Sequence, residues 1–184
     1  MKIIQTNLKD CVLIEPDVYG DERGYFFESF HVDKYRALGI SETFVQDNFS
    51  KSSKGILRGL HSQIKKPQGK LVQVTRGCVF DVAVDLREES QTFGKYFSVI
   101  LSGENHKQLY IPPGFAHGFL TLSEEAHFSY KCTEFYDPED ELGIIWNDET
   151  LGIDWPVDVP IISKKDKEQP TFQEYISLLK DLRK

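Results

Sequence analysis

The sequence predicts a mainly β chain closed into a jelly roll or another double-sheet barrel, with helix confined to short peripheral pieces. Long stretches alternate apolar and polar residues, the two-residue period that sends successive side chains to opposite faces of a strand. Gly and Pro interrupt these stretches, in turns such as Arg23-Gly24, Pro113-Gly114 and Asp137-Pro138. Many short strands separated in this way are the pattern of closed all-β architectures.

In chain order, strands are expected over Cys11 to Glu15 and Gly24 to Phe30, followed by a short helix from Asp33 to Leu38. Phe44 to Ser50 reads as the next strand; if Leu57 to Gln63 is extended, Arg58 and His61 lie on opposite parities, although Gly59 favours a local twist. The clearest signal is Lys70 to Leu86. Its first half puts Lys70, Val72 and Val74 on one side. After a turn or bulge near Arg76-Gly77, the second half groups Phe80, Val82, Val84 and Leu86, with Asp81, Ala83 and Asp85 opposite. Further strands are expected at Tyr96 to Leu101, Gln108 to Ile111, Gly118 to Leu122 and Ala126 to Tyr136. Ser163 to Pro170 reads as a polar surface loop. Beyond it, Phe172, Ile176, Leu179 and Leu182 recur at near-helical spacing, which predicts a helix over Thr171 to Leu182.

A chain of 184 residues fits one domain, 1–184, with a sizeable core, and its 13 Phe and 8 Tyr supply an aromatic filling. Twenty-two Lys and Arg against 29 Asp and Glu give a net charge of -7, a mean field that repels polyanions. No stretch joins dense basic residues to aromatic stackers, so nucleic acid is excluded as a partner. A nucleotide-sized anion remains admissible, because a few inward-facing Arg or Lys suffice to bind it. Cys11, Cys78 and Cys132 form no CxxC pair and read as reduced structural residues of a cytoplasmic chain. The N-terminal residues lack the apolar stretch of a secretion signal, and no run approaches a membrane span.

Several residues are candidates for chemistry. His61, in ILRGLHSQ, reads either as a histidine satisfied in the core or as a base. Arg58, Lys70 and Asp81 on neighbouring strands favour the second reading. Tyr130 shares the parity of Phe128 and Cys132, so its hydroxyl faces an apolar side and needs a polar partner; the same period carries Tyr136 inward. Arg23, Arg58 and Lys70 each suit phosphate oxygens or an ordinary salt bridge. Pro112, Gly114 and His117 match the Pro-x-Gly-x-x-His turn common in cupins. The two-histidine metal motif that usually precedes it is broken here, because His61 is followed by Ser62-Gln63. No catalytic metal is therefore expected, and His117 is assigned to shaping the substrate site. The glycines at 55, 59, 69 and 77 form no nucleotide-binding loop of either common type, so no redox cofactor is expected.

Taken together, the ordered motifs closely resemble the dTDP-4-dehydrorhamnose 3,5-epimerase family. They are DERGYFFESF (21–30), FVQDNFS (44–50), GILRGLHSQ (55–63), QGKLVQVTRGCVFDVAVDLR (68–87), LSGENHKQLYIPPGFAHGFLTLSE (101–124), YKCTEFYDPEDELGIIWND (130–148) and GIDWP (152–156). The resemblance implies a homodimeric, cupin-like jelly-roll β-barrel that needs no metal or cofactor. Its implied substrate is dTDP-4-dehydro-6-deoxy-D-glucose, and its product dTDP-4-dehydro-L-rhamnose. By the same likeness His61 is the base, paired with Asp166; Lys70 faces the developing enolate oxygen; and Tyr130 supplies a proton from the other face. Arg23, Phe26, Glu28, Gln46, Asn48, Arg58 and Tyr136 would contact the nucleotide sugar, with His117 and Asp81 helping to form the pocket.

Two departures bear on substrate fit: Ser62 stands where an aromatic residue is frequent, and Ile64-Lys65-Lys66-Pro67 makes a short basic loop. Two other readings compete. One is a related epimerase acting at C3 or C5 alone, distinguished by product stereochemistry. The other is a noncatalytic nucleotide-sugar-binding module, distinguished by binding without proton exchange.

Overall fold

The computed structural model describes residues 1–182. Its strands in order are β1 (Lys2–Gln5), β2 (Val12–Glu15), β3 (Tyr19–Asp21) and β4 (Gly24–Phe26), then helix α1 (Val32–Ala37). There follow β5 (Gln46–Ser53), β6 (Leu57–Gln63), β7 (Lys70–Arg76), β8 (Cys78–Asp85), β9 (Tyr96–Ser102), β10 (Gln108–Ile111), β11 (Phe115–Thr121), β12 (Glu125–Cys132) and β13 (Glu141–Gly143). Helices α2 (Lys164–Lys167) and α3 (Phe172–Leu182) come last. The mainly β reading with short peripheral helices holds.

The expected closed jelly-roll β-barrel does not form. The strands make a six-stranded sheet in the order β1-β2-β10-β7-β12-β5, a five-stranded sheet in the order β13-β6-β11-β8-β9, and the separate hairpin β3-β4. Each large sheet is linear, with two edges, and its ladders are antiparallel. Alternation along a strand is the same in a barrel and in two stacked sheets, so the sequence pattern does not separate them. What decides the architecture is where the chain changes sheet. β7 and β8 are consecutive yet lie in different sheets, joined at Gly77. There φ is +75°, and a Cβ would come within 2.0 Å of the Glu125 carbonyl oxygen, so only glycine fits the crossing.

Side chains hold the two sheets together. Val72 and Val74 of β7, Leu109 and Ile111 of β10, and Phe128 of β12 meet Ala83 of β8, Leu101 of β9 and Phe119 of β11 in one cluster. Burying a side chain as large as Phe128 contributes about 1.5–3 kcal/mol relative to leaving it in water. The parity read from the sequence is observed in β8: Ala83 faces this central layer, whereas Val82 and Val84 face the opposite side. That outer side is covered in turn by Trp155 and by Phe172, Tyr175 and Leu179 of α3.

Helix α3 begins with a reciprocal cap: the Thr171 N–H donates to Glu174 Oε2 at 2.8 Å, and the Glu174 N–H donates to Thr171 Oγ1 at 3.3 Å. The expected strand from Gly24 to Phe30 stops at Phe26; beyond it, Phe30 packs on Tyr35 and Phe44 beside α1. The strand expected to reach Tyr136 ends at Cys132, after which the Thr133 hydroxyl accepts from the Gly69 N–H at 2.7 Å. The largest local departure is at residues 163–170. Instead of a surface loop throughout, Ser163 caps α2, its Oγ accepting from the Asp166 N–H at 3.0 Å, and Asp166 is buried.

Candidate active site

A cavity of about 580 Å³ opens between the sheets. Ser50, Lys70, Phe128 and Tyr130 enter from the six-stranded sheet, and Arg58, His61, His117, Phe119 and Glu141 from the five-stranded one. Tyr136, Lys165 and Asp166 add to the wall, beside the apolar Ile161 and Ile162.

Arg58 and His61 share this cavity despite their opposite parities in sequence. Along the β6–β11 ladder, Arg58 lies opposite Phe119 and His61 opposite His117, so β6 takes three steps where β11 takes two. This bulge sits at Gly59, whose φ is +122°. A Cβ there would lie 2.5 Å from Gly118 Cα, so the close strand approach also requires glycine.

His61 Nε2 lies 2.7 Å from Asp166 Oδ1, and the Gly59 N–H reaches Asp166 Oδ2 at 3.5 Å. Burial works to raise the Asp166 carboxyl; the hydrogen bond and charge of His61, with the Gly59 N–H, outweigh it and leave the group below the ordinary aspartate value. A carboxylate held this way fixes one ring nitrogen of the imidazole and leaves the other to face the cavity.

His117 lies deeper. Its Nε2 is 2.9 Å from Asp81 Oδ2, and its ring stacks on Phe128 at 5.8 Å between centroids. Burial lowers its pKa, against the raising influence of Asp81. Lys70 likewise has its ammonium pushed below the ordinary lysine value by burial, in spite of nearby Glu141 and Asp81. Burial raises the Tyr130 phenol, which keeps it protonated and able to donate.

The cavity thus brings together His61, Lys70, Tyr130, Asp166, Arg58, His117 and Tyr136 of the residues expected from sequence. The others lie elsewhere. Asp81 is fully buried behind His117 and does not line the cavity. Gln46 and Asn48 sit on the edge strand β5, opposite Cys132 and Tyr130 of β12, with the Gln46 amide donating to Asn48 Oδ1 at 3.0 Å. Arg23, Phe26 and Glu28 belong to the β3–β4 hairpin and the segment after it. There Arg23 pairs with Asp21, Glu28 pairs with Lys34, and the Phe26 ring is exposed.

Sequence reasoning missed Glu141, Lys165 and Ser50. Glu141 and Lys165 carry no spacing signal of their own; β13 and α2 place them. The Ser50 hydroxyl is buried without a partner among the described residues.

Residues 5–174 match the family model described as dTDP-4-dehydrorhamnose 3,5-epimerase. The chain is 53% identical over 176 residues to the dTDP-4-dehydrorhamnose 3,5-epimerase of Methanothermobacter thermautotrophicus, covering 94% of this chain and 95% of the relative. It is 51% identical over 181 residues to that of Escherichia coli, covering 97% and 98%. Among solved structures, dTDP-6-deoxy-D-glucose-3,5-epimerase from Legionella pneumophila, in complex with dTDP-4-keto-L-rhamnose, superposes with a TM-score of 0.94 at 52% identity. That match covers 97% of this chain and 96% of the other.

Proposed function

The chain belongs to the dTDP-4-dehydrorhamnose 3,5-epimerase family, and from that membership we propose how its residues divide the reaction. The protein is an isomerase that inverts C3 and C5 of dTDP-4-dehydro-6-deoxy-D-glucose to give dTDP-4-dehydro-L-rhamnose. The C4 ketone makes the hydrogens on both flanking carbons removable, since either carbanion delocalises onto the carbonyl oxygen as an enolate. Electrons stay within the substrate, so the reaction consumes no oxidant or reductant.

His61, oriented by Asp166, takes the carbon-bound proton. Lys70 holds positive charge beside O4, where negative charge develops in a cavity that excludes much of the screening water. Tyr130 returns a proton to the opposite face, and the sugar then flips its ring or shifts to present the second carbon. Arg58 holds the pyrophosphate, while Tyr136 packs against the nucleotide sugar at the rim. His117, braced by Asp81, shapes the cavity wall.

The observation that carries this reading is that His61 and Tyr130 stand on facing sheets with the cavity between them. Inversion needs that arrangement, because removal and return on one face regenerate the starting epimer. Incubation with the substrate in D₂O, followed by NMR of both exchange positions and of product configuration, tests it. Tyr130→Phe is expected to exchange C3 and C5 hydrogens while forming inverted product about 10²-fold more slowly than the parent. Unchanged product formation removes Tyr130 as the donor.

We further propose a homodimer of single-domain subunits spanning residues 1–184. Support comes from the β3–β4 hairpin, which projects Tyr19, Tyr25 and Phe26 into solvent, apolar surface suited to a second copy. In that assembly Arg23, Phe26 and Glu28 reach nucleotide sugar in the partner's cavity, and Gln46 and Asn48 line the approach. A monomeric mass in sedimentation equilibrium overturns the assembly. No described helix is long and apolar enough to cross a membrane. The free cysteines at 11, 78 and 132 support placement in the cytoplasm, which fractionation of the native host checks.

A further inference from the structure

The structure assigns to Glu141 a positioning role: it is a second carboxylate, anchored by Lys165 and Tyr136, that stabilises the positive charge His61 acquires when it takes a proton. The inference rests on the proposed role of His61 as base and adds to it a residue that carries no spacing signal of its own. Glu141 stands on β13, which pairs with β6 so that Gly143 lies opposite His61 and Glu141 opposite Gln63. Its side chain is only 8% exposed, and Oε1 lies 3.8 Å from His61 Nε2. That is too long for a hydrogen bond and close enough for a strong field in a partly dry cavity.

The other carboxylate oxygen is fully engaged. The Tyr136 hydroxyl donates to Glu141 Oε2 at 2.6 Å, and Lys165 Nζ lies 2.8 Å from the same atom. Burial works to raise the Glu141 carboxyl, and these two donors outweigh it, so the group stays ionised. Helix α2 therefore serves the imidazole twice from adjacent residues: Asp166 holds it directly, and Lys165 holds the carboxylate next to it. A carboxylate buried merely for packing has no need to be aimed at the ring nitrogen that Asp166 already holds.

Other charges act on the same ring. Lys70 from β7 and Arg58 from β6 line the cavity, as do Tyr130 from β12 and His117 from β11, the last backed by Asp81 of β8. The cations oppose proton uptake by the imidazole, and Asp166 and Glu141 favour it. Removing the Glu141 charge tips that balance toward the neutral ring, and removing the Lys165 charge tips it the other way.

The experiment follows C3 and C5 deuterium uptake against pH. Glu141→Gln, which keeps shape and can still accept from Tyr136, is expected to lower kcat for exchange about tenfold at neutral pH with dTDP affinity unchanged. The acid side of its kcat/KM profile moves to lower pH. Glu141→Asp, which keeps the charge, restores the parent's profile. Lys165→Met is expected to move the acid side to higher pH, and it remains informative should Glu141→Gln fail to melt cooperatively. A parental kcat and profile in Glu141→Gln, or a change confined to KM, overturns the assignment, as does a Lys165→Met profile displaced in the same direction. Parent enzyme that takes up no deuterium defeats the proposed chemistry as a whole, an outcome separate from any of these.

Discussion

Deuterium uptake at C3 and C5 is expected to fall by about 10²–10⁴ on replacing His61 with alanine, the contribution typical of a positioned general base. The structure distinguishes this histidine from its neighbour. The His61 side chain is 31% exposed to the cavity while its Nε2 is held 2.7 Å from Asp166; the His117 side chain is 8% exposed and spends its Nε2 on Asp81. Of these two histidines, His61 alone has both a carboxylate behind it and room for a carbon acid in front. The substitution also leaves a buried carboxylate without its main partner, at a cost of about 1–3 kcal/mol. His61→Asn, which keeps a donor toward Asp166, separates the two effects: it should melt nearer the parent and still fail to exchange. Normal uptake by either variant removes His61 from the mechanism.

Lys70→Met is expected to reduce kcat by about 10²–10³, the cost of deleting one preorganised group that stabilises a developing oxyanion, with dTDP affinity retained. The pH dependence gives a second signature. Burial holds the Lys70 ammonium below the ordinary lysine value, so its charge is lost as pH rises through that lowered value, and exchange should decline on the alkaline side at a lower pH than an exposed lysine would produce. Stability moves the other way. Between the lowered native value and the ordinary unfolded one, the unfolded chain binds the extra proton, so the contribution of this group to unfolding free energy rises with pH across that window. Lys70→Met should lose both slopes. Rate–pH profiles and melts over the same range check this together, and an alkaline decline that persists in the variant assigns it to another group.

Legibility in the sequence followed the physics of each signal. Alternation in Lys70 to Leu86 located both strands, and the structure shows their faces as read, with Ala83 inward and Val82 and Val84 outward. The same alternation gave no information on closure, because a ladder between sheet edges depends on where the chain crosses, and Gly77 sends β8 into the other sheet. Parity put Arg58 and His61 on opposite sides, whereas the bulge at Gly59 turns both into one cavity. Asp166 was reached through family likeness alone. Its four-residue helix has too few turns to show periodicity, and the polar run around it looks like solvated loop. Glu141 and Lys165 had no local signature, since their meeting is a property of tertiary packing.

The pairing of His61 with Asp166 joins positions 105 residues apart. Between them lie β7 to β13, so the loop that this contact closes encloses three of the six strands of one sheet and four of the five of the other. Closing so long a loop is entropically costly until the intervening strands have condensed, which puts the contact late in folding. On a growing polypeptide, residue 166 leaves the ribosome only after every strand, the last ending at Gly143, has emerged. The carboxylate that would orient His61 is thus added after the strands that carry the rest of the cavity wall.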